Sequence, residues 1–241
     1  MIKTNNYLFF ILIMEPKKDN CSEEKQNENE NKNEENKAKD FNEDEDEEEW
    51  EKPKIKRKKK PVIYLYPENT MDIEVKLKFK NDKFTCVYPK FNKNDNTWKI
   101  KASPDGTISI KGKEYPYLFW ESESYSKQDL TNGFIVKADD AENFLEEKLK
   151  KLGLNEKETC DFITFWLPLL LRNKISLCSF QSEKFFEDFP LDVNPTPKTM
   201  IRVFLSIKKL EKEIEVKEQE IKEIQREGFT VVEWGGSEIQ D

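Results

Sequence analysis

The chain has 241 residues, with 41 Lys and Arg against 49 Asp and Glu and a net charge of −8, a balance that argues against general nucleic-acid binding by the whole protein. It contains no histidine. Ser-His-Asp and Cys-His catalysis in their usual forms are therefore excluded, as are histidine-containing zinc and iron sites, because each needs an imidazole.

Near the start, Tyr7 to Met14 is apolar but too short to span a bilayer. With Lys3 ahead of it the run imitates a secretory signal, yet Glu15, Pro16, Lys17 and Lys18 follow where small cleavage-site residues belong. Two readings stay open: a signal, which would make the protein secretory, or translation from Met14. From Glu15 to Glu51 the chain is mostly Asn, Glu, Lys and Asp, too little apolar surface to offset the entropy of ordering. Glu43 to Glu49 is an acidic block, and Lys54, Lys56, Arg57, Lys58, Lys59 and Lys60 form a basic one between Pro53 and Pro61. That cluster is a candidate import signal for a nuclear-import receptor; anionic lipid or the acidic block would suit it equally. The expectation is a disordered charged tail over 1–60 and one domain over 61–241, cytoplasmic or nuclear, with no transmembrane span.

Strand signals open the domain. Val62 to Tyr66 is β-branched and aromatic, and Met71 to Lys80 alternates apolar with charged residues. Phe84 to Tyr88, Trp98 to Ala102, Thr107 to Ile110 and Tyr115 to Trp120 follow, with a tight turn at Ser103-Pro104-Asp105-Gly106. Asp139 and Glu142 then predict a capped helix with an apolar stripe of Ala141, Phe144, Leu145, Leu149 and Leu152, ended by Gly153. A second helix starts at Asn155 and buries Phe162, Phe165, Trp166, Leu169 and Leu170, with a kink from Pro168 near Thr164. It lacks the basic and amide residues of a DNA-reading helix. Ile175 to Phe180, Met200 to Ile207 and Phe229 to Trp234 return to strand. Leu210 to Glu227, with its coiled-coil-like alternating charges, fits a helix by local propensity and a strand by Ile214 and Val216. The fold class expected is α+β: an antiparallel sheet or sandwich with an inserted αα-hairpin.

Six segments in this order carry a resemblance: VIYLYPE at Val62 to Glu68, SPDG at Ser103 to Gly106, YLFWE at Tyr117 to Glu121, FWLP at Phe165 to Pro168, RVF at Arg202 to Phe204, and GFTVVEWGG at Gly228 to Gly236. Together they resemble a widespread uncharacterised family of hypothetical proteins. The resemblance implies domain boundaries, favours a strand near Ile214 to Gln219, and brings no activity with it.

Without histidine, acid-base chemistry would fall to carboxylates. Trp120-Glu121 and Glu233-Trp234 each join a large ring to a carboxylate at a strand end, an arrangement that suits sugars. Glu121 and Glu233 are thus the candidate acid and base, and Trp120 and Trp234 the candidate ligand-binding rings. Against this, tryptophans are usually core, and neighbours on a strand face opposite ways. Ser126-Lys127 and Ser206-Ile207-Lys208 are the Ser-Lys pairs, without a supporting motif. With 7 glycines there is no phosphate loop, and Gly235-Gly236 reads as a terminal turn. Cys21, Cys86, Cys160 and Cys178 contain no CxxC pair; Cys160 and Cys178 read as small core residues. Asp139, Asp140 and Asp188 are weak metal candidates, and neither metal nor cofactor is expected. The reading is a non-catalytic binding or scaffold domain of unknown partner, with a carboxylate-dependent enzyme acting on glycans as the alternative.

Overall fold

A computed structural model of the chain describes residues 56–239 apart from 79–82, 93 and 125. Its first strand explains much of the rest. β1 (Lys56–Tyr66) carries apolar residues on both faces, the pattern of a strand covered on both sides. Val62 and Tyr64 enter one core and Ile63 and Leu65 another. The same holds for β12 (Thr230–Ile239), where Val232 and Trp234 face one way and Val231 the other.

These two strands pair at the middle of a seven-stranded sheet. Its order is β3 (Lys83–Tyr88), β7 (Leu118–Ser124), β1, β12, β11 (Thr199–Lys209), β9 (Ile175–Phe180) and β8 (Phe134–Lys137). A second sheet of five strands has the order β10 (Leu191–Asn194), β2 (Met71–Leu77), β4 (Thr97–Ala102), β5 (Ile108–Ile110) and β6 (Lys113–Tyr115). Ile73, Val75, Trp98 and Ile100 of the small sheet share a core with Ile63, Leu118, Trp120 and Val231 of the large one. Two helices, α1 (Ala141–Lys151) and α2 (Glu156–Asn173), cover the opposite face through Leu145, Leu149, Phe162 and Trp166. A short helix α3 (Glu183–Phe186) adds a satellite cluster of Phe185, Phe189 and Phe204. The class is α+β and dominated by its two sheets.

Several sequence expectations need correction. The large sheet is mixed, because β11 runs parallel to β12. The expected domain start at Pro61 falls inside β1, whose backbone from Lys56 to Lys58 pairs with β7 and at Lys59 with β12. That pairing places Lys56, Arg57, Lys58, Lys59 and Lys60 in the sheet; Lys54 lies outside the described residues, as do Cys21 and the rest of the tail up to residue 55. Tyr115 to Trp120 is two strands, interrupted at Pro116. Gly235 and Gly236 are not a turn. They lie within β12, where a Cβ on Gly236 would stand 2.4 Å from the Leu205 carbonyl oxygen and 2.7 Å from the Trp166 ring. Glycine here permits close approach within the sheet. Cys160 is exposed rather than core, while Cys178 is buried as expected.

The helical hairpin follows its sequence signals closely. Asn155 and Glu158 form a reciprocal capping box at the start of α2. At the end of α1 the Leu154 and Gly153 amides donate to the Leu149 and Lys150 carbonyls, with Gly153 at φ +81°. Asp139 does not cap α1: a 3₁₀ turn spans Ala138–Asp140, and Asp140 makes no side-chain capping bond. α2 continues past Pro168 to Asn173.

A parallel pair requires a crossover, and residues 210–229 supply it as irregular extended chain. Helical propensity loses here to long-range anchors spread along the segment. The extended strap is pinned instead at separate points. The Gln219 amide brackets the Phe180 backbone with two 2.8 Å bonds. The Ile224 amide donates to the Lys151 carbonyl, and Ile221 and Ile224 pack on the helix-side core.

Candidate functional site

The four residues singled out in the sequence do not converge on one cleft: Trp120 and Glu233 meet, while Glu121 and Trp234 face the other side of the sheet. Trp120 is 3 % exposed in the core between the sheets, and its Nε1 donates to Glu233 Oε1 at 3.0 Å. Glu233 is equally buried, and Arg202 Nε donates to its other oxygen at 2.6 Å. Arg202 is itself held by the Phe189 carbonyl at 2.8 Å and by the Phe186 ring. Glu233 is thus a locked counter-ion. Its partner could have been sought in the sequence: Arg202 and Glu233 are each flanked on both sides by apolar residues in their strands, and those strands align them in register. Trp234 faces the helices and is fully buried. Glu121 follows Trp120 on β7 and so faces away from it and from Glu233. The cavity beside Trp120, Arg202 and Glu233 holds about 10 Å³, room for one water at most.

The Ser-Lys pairs are also committed elsewhere. Ser206 is fully buried and donates to Gln128 Oε1 at 2.6 Å, sharing that oxygen with Ser237 at 2.7 Å. Ser126 donates to Asp188 at 2.9 Å. Among the described residues no three acidic or cysteine side chains gather as metal ligands, and no helix is long and apolar enough to cross a membrane.

A second polar cluster joins the end of β1 to the start of α2. Glu158 has no exposed surface and is bound by both terminal nitrogens of Arg226, whose Nε donates to the Gly153 carbonyl at 2.6 Å. Tyr64 donates to Asp161 Oδ2 at 2.8 Å. Burial, then the Asp161 carboxylate, pushes the Tyr64 phenol well above its ordinary pKa. Burial and Glu158 raise Tyr66 likewise. The cluster fastens the strap to α2.

The open concavity of interest lies between α1, β8 and the strap, with a volume of about 590 Å³. β8 is the last strand of its sheet on this side. The strap meets it at two places: Lys137 Nζ lies 2.8 Å from Glu213, and the Gly133 amide donates to the Lys217 carbonyl at 2.9 Å. Between them, Phe134, Ile135, Phe144, Ile214 and Val216 form an apolar lining, and Ile214 stays 43 % exposed. Asp140, Glu147, Glu215 and Glu218 line it too, against one lysine, Lys148. The sequence reading missed this groove. β8 is only four residues long, and the strap's exposed Ile214 and half-buried Val216 suggest a helix or a strand rather than a groove wall.

An uncharacterised protein in the bglA 3′ region of Butyrivibrio fibrisolvens is 46 % identical to this chain over 63 residues, which make up 26 % of this chain and 64 % of that protein. The chain thus covers less than two thirds of that relative's length. No family model matches the chain, and no solved structure matches it.

Proposed function

We propose that the domain is a non-catalytic binding module that takes side chains of an extended peptide segment into the groove between α1, β8 and the strap. The carrying observation is the groove itself. Its volume lies in the range of ligand sites, and an apolar floor with a charged rim is the anatomy of a recognition surface. The state of the carboxylates supports the same reading. Glu121 and Glu233 face opposite sides of the sheet, and Glu233 is already satisfied by Trp120 and Arg202. A paired acid and base would have to share one cleft.

The test is selection from a display library of random nonapeptides, followed by binding to Phe144→Ala and Ile214→Ser variants. Selected peptides should lose most of their affinity for both variants and keep it for Cys86→Ser on the far edge of the sheet. Selection of peptides indifferent to Phe144 and Ile214 would overturn the reading. So would turnover of any chromogenic glycoside that Glu233→Gln abolishes.

A further inference from the structure

Taking that groove as the binding site, we infer that its partner is a polypeptide segment bearing lysines, whose alkylammonium side chains it accepts. The lining holds four carboxylates and one ammonium. Glu147 is already engaged by Lys148 at 3.1 Å and Lys151 at 3.4 Å. Asp140, Glu215 and Glu218 make no ion pair with a described residue, though Asp140 acts through space on Lys137, so the groove lining keeps a net negative charge above an apolar floor.

Lys148 displays the chemistry a guest would repeat. Its side chain is only 13 % exposed. Its Nζ stands 4.8 Å from the centroid of the Phe134 ring while bonding Glu147. Methylenes against apolar surface, an ammonium over an aromatic face, and a carboxylate at the tip together satisfy a lysine along its whole length. The other half of the groove offers the same set without an occupant's charge: Phe144 and Ile214 for the stem, and Glu215, Glu218 and Asp140 for the head. A neutral apolar side chain would bury the stem surface and leave the carboxylates uncompensated. An acidic one would be repelled.

The test uses the full chain and two fluorescein-labelled nonapeptides that alternate lysine with serine, one carrying free lysines and the other Nε-acetyl-lysines. Acetylation keeps the stem and removes the charge. The free-lysine peptide should bind about tenfold more tightly, as two or three exposed ion pairs imply. Its affinity should fall as salt rises, because the pairs are exposed and screened. Glu215→Gln with Glu218→Gln, both exposed and neutral to folding, should abolish the difference between the peptides. Ile214→Ser should weaken both. Equal binding of the two peptides, or indifference to the double substitution, overturns the lysine inference and leaves the groove reading standing. So does failure of both peptides while display-selected peptides still occupy the groove. If display yields nothing as well, both fall. Displacement of the peptide as protein concentration rises would mark a second copy as the occupant and also overturn it.

Discussion

Arg226→Ala is the substitution from which the structure predicts most. Glu158 has no exposed surface, and the guanidinium supplies two donors to its carboxylate beside the one from the Asn155 amide. Removing one partner of a buried pair costs about 3–5 kcal/mol, because the remaining charge stays desolvated. The Arg226 side chain is 25 % exposed, so water can enter the vacated space, which favours the lower end, about 3 kcal/mol. For a domain of this size that corresponds to a fall in melting temperature of about 6–12 °C. Urea denaturation followed by tryptophan fluorescence measures the loss. Combining Arg226→Ala with Glu158→Gln should recover part of it, giving a coupling energy of about 1–3 kcal/mol. Arg226→Lys should restore little, since an ammonium cannot reach the Gly153 carbonyl and both carboxylate oxygens together. A loss below about 1 kcal/mol, or a strictly additive double variant, would refute the view that this pair clasps the strap to α2.

Three further outcomes are expected. Trp120→Ala should cost about 3–5 kcal/mol as a core truncation, and Glu233→Gln about 1–3 kcal/mol, because Arg202 would lose its charged acceptor in a buried place; melting curves near wild type for either would mean these residues face solvent. Buried Tyr64 and half-buried Tyr66 both favour the neutral phenol, so their contribution is complete below the unfolded value of about 10 and is lost as pH rises toward the raised folded values; the urea midpoint should therefore fall between about pH 9 and 11, and fall less in Tyr64→Phe. A thiol reagent applied to native protein, with peptide mapping, should label exposed Cys86 and Cys160 quickly and buried Cys178 only on unfolding.

What could be read from the sequence was what local chemistry decides. Val62 to Tyr66 and Phe229 to Trp234 read as strands because they are rich in β-branched and aromatic residues. The αα-hairpin read correctly at Gly153 and Asn155 because a positive φ and a capping box need particular residues. The misreadings fell where distant contacts decide. Leu210 to Glu227 has helical spacing, but anchors at Phe180, Lys151 and Glu158 outweigh i,i+4 pairs worth about 0.2–0.5 kcal/mol each. Gly235 and Gly236 suggested a turn because the approach of Leu205 and Trp166 cannot be seen along the chain. The sequence reading pairs Trp120 with Glu121 and Glu233 with Trp234 as chain neighbours, whereas the structure bonds Trp120 to Glu233. Their bond is a buried structural one, which only the pairing of β1 with both β7 and β12 could reveal.

The central position of β12 also dictates a timetable. Val62 of β1 faces Trp234 of β12 across almost the whole described chain, and β12 joins the β3-β7-β1 half of the sheet to the β11-β9-β8 half. During synthesis at about 5–20 residues per second, each half must wait with one raw edge until β12 leaves the ribosome. Contacts of such sequence separation make folding slow, and an open apolar edge invites pairing with other chains. A nascent chain arrested before Thr230 should therefore be held by chaperones or aggregate, and the native fold should appear abruptly once Trp234 has emerged.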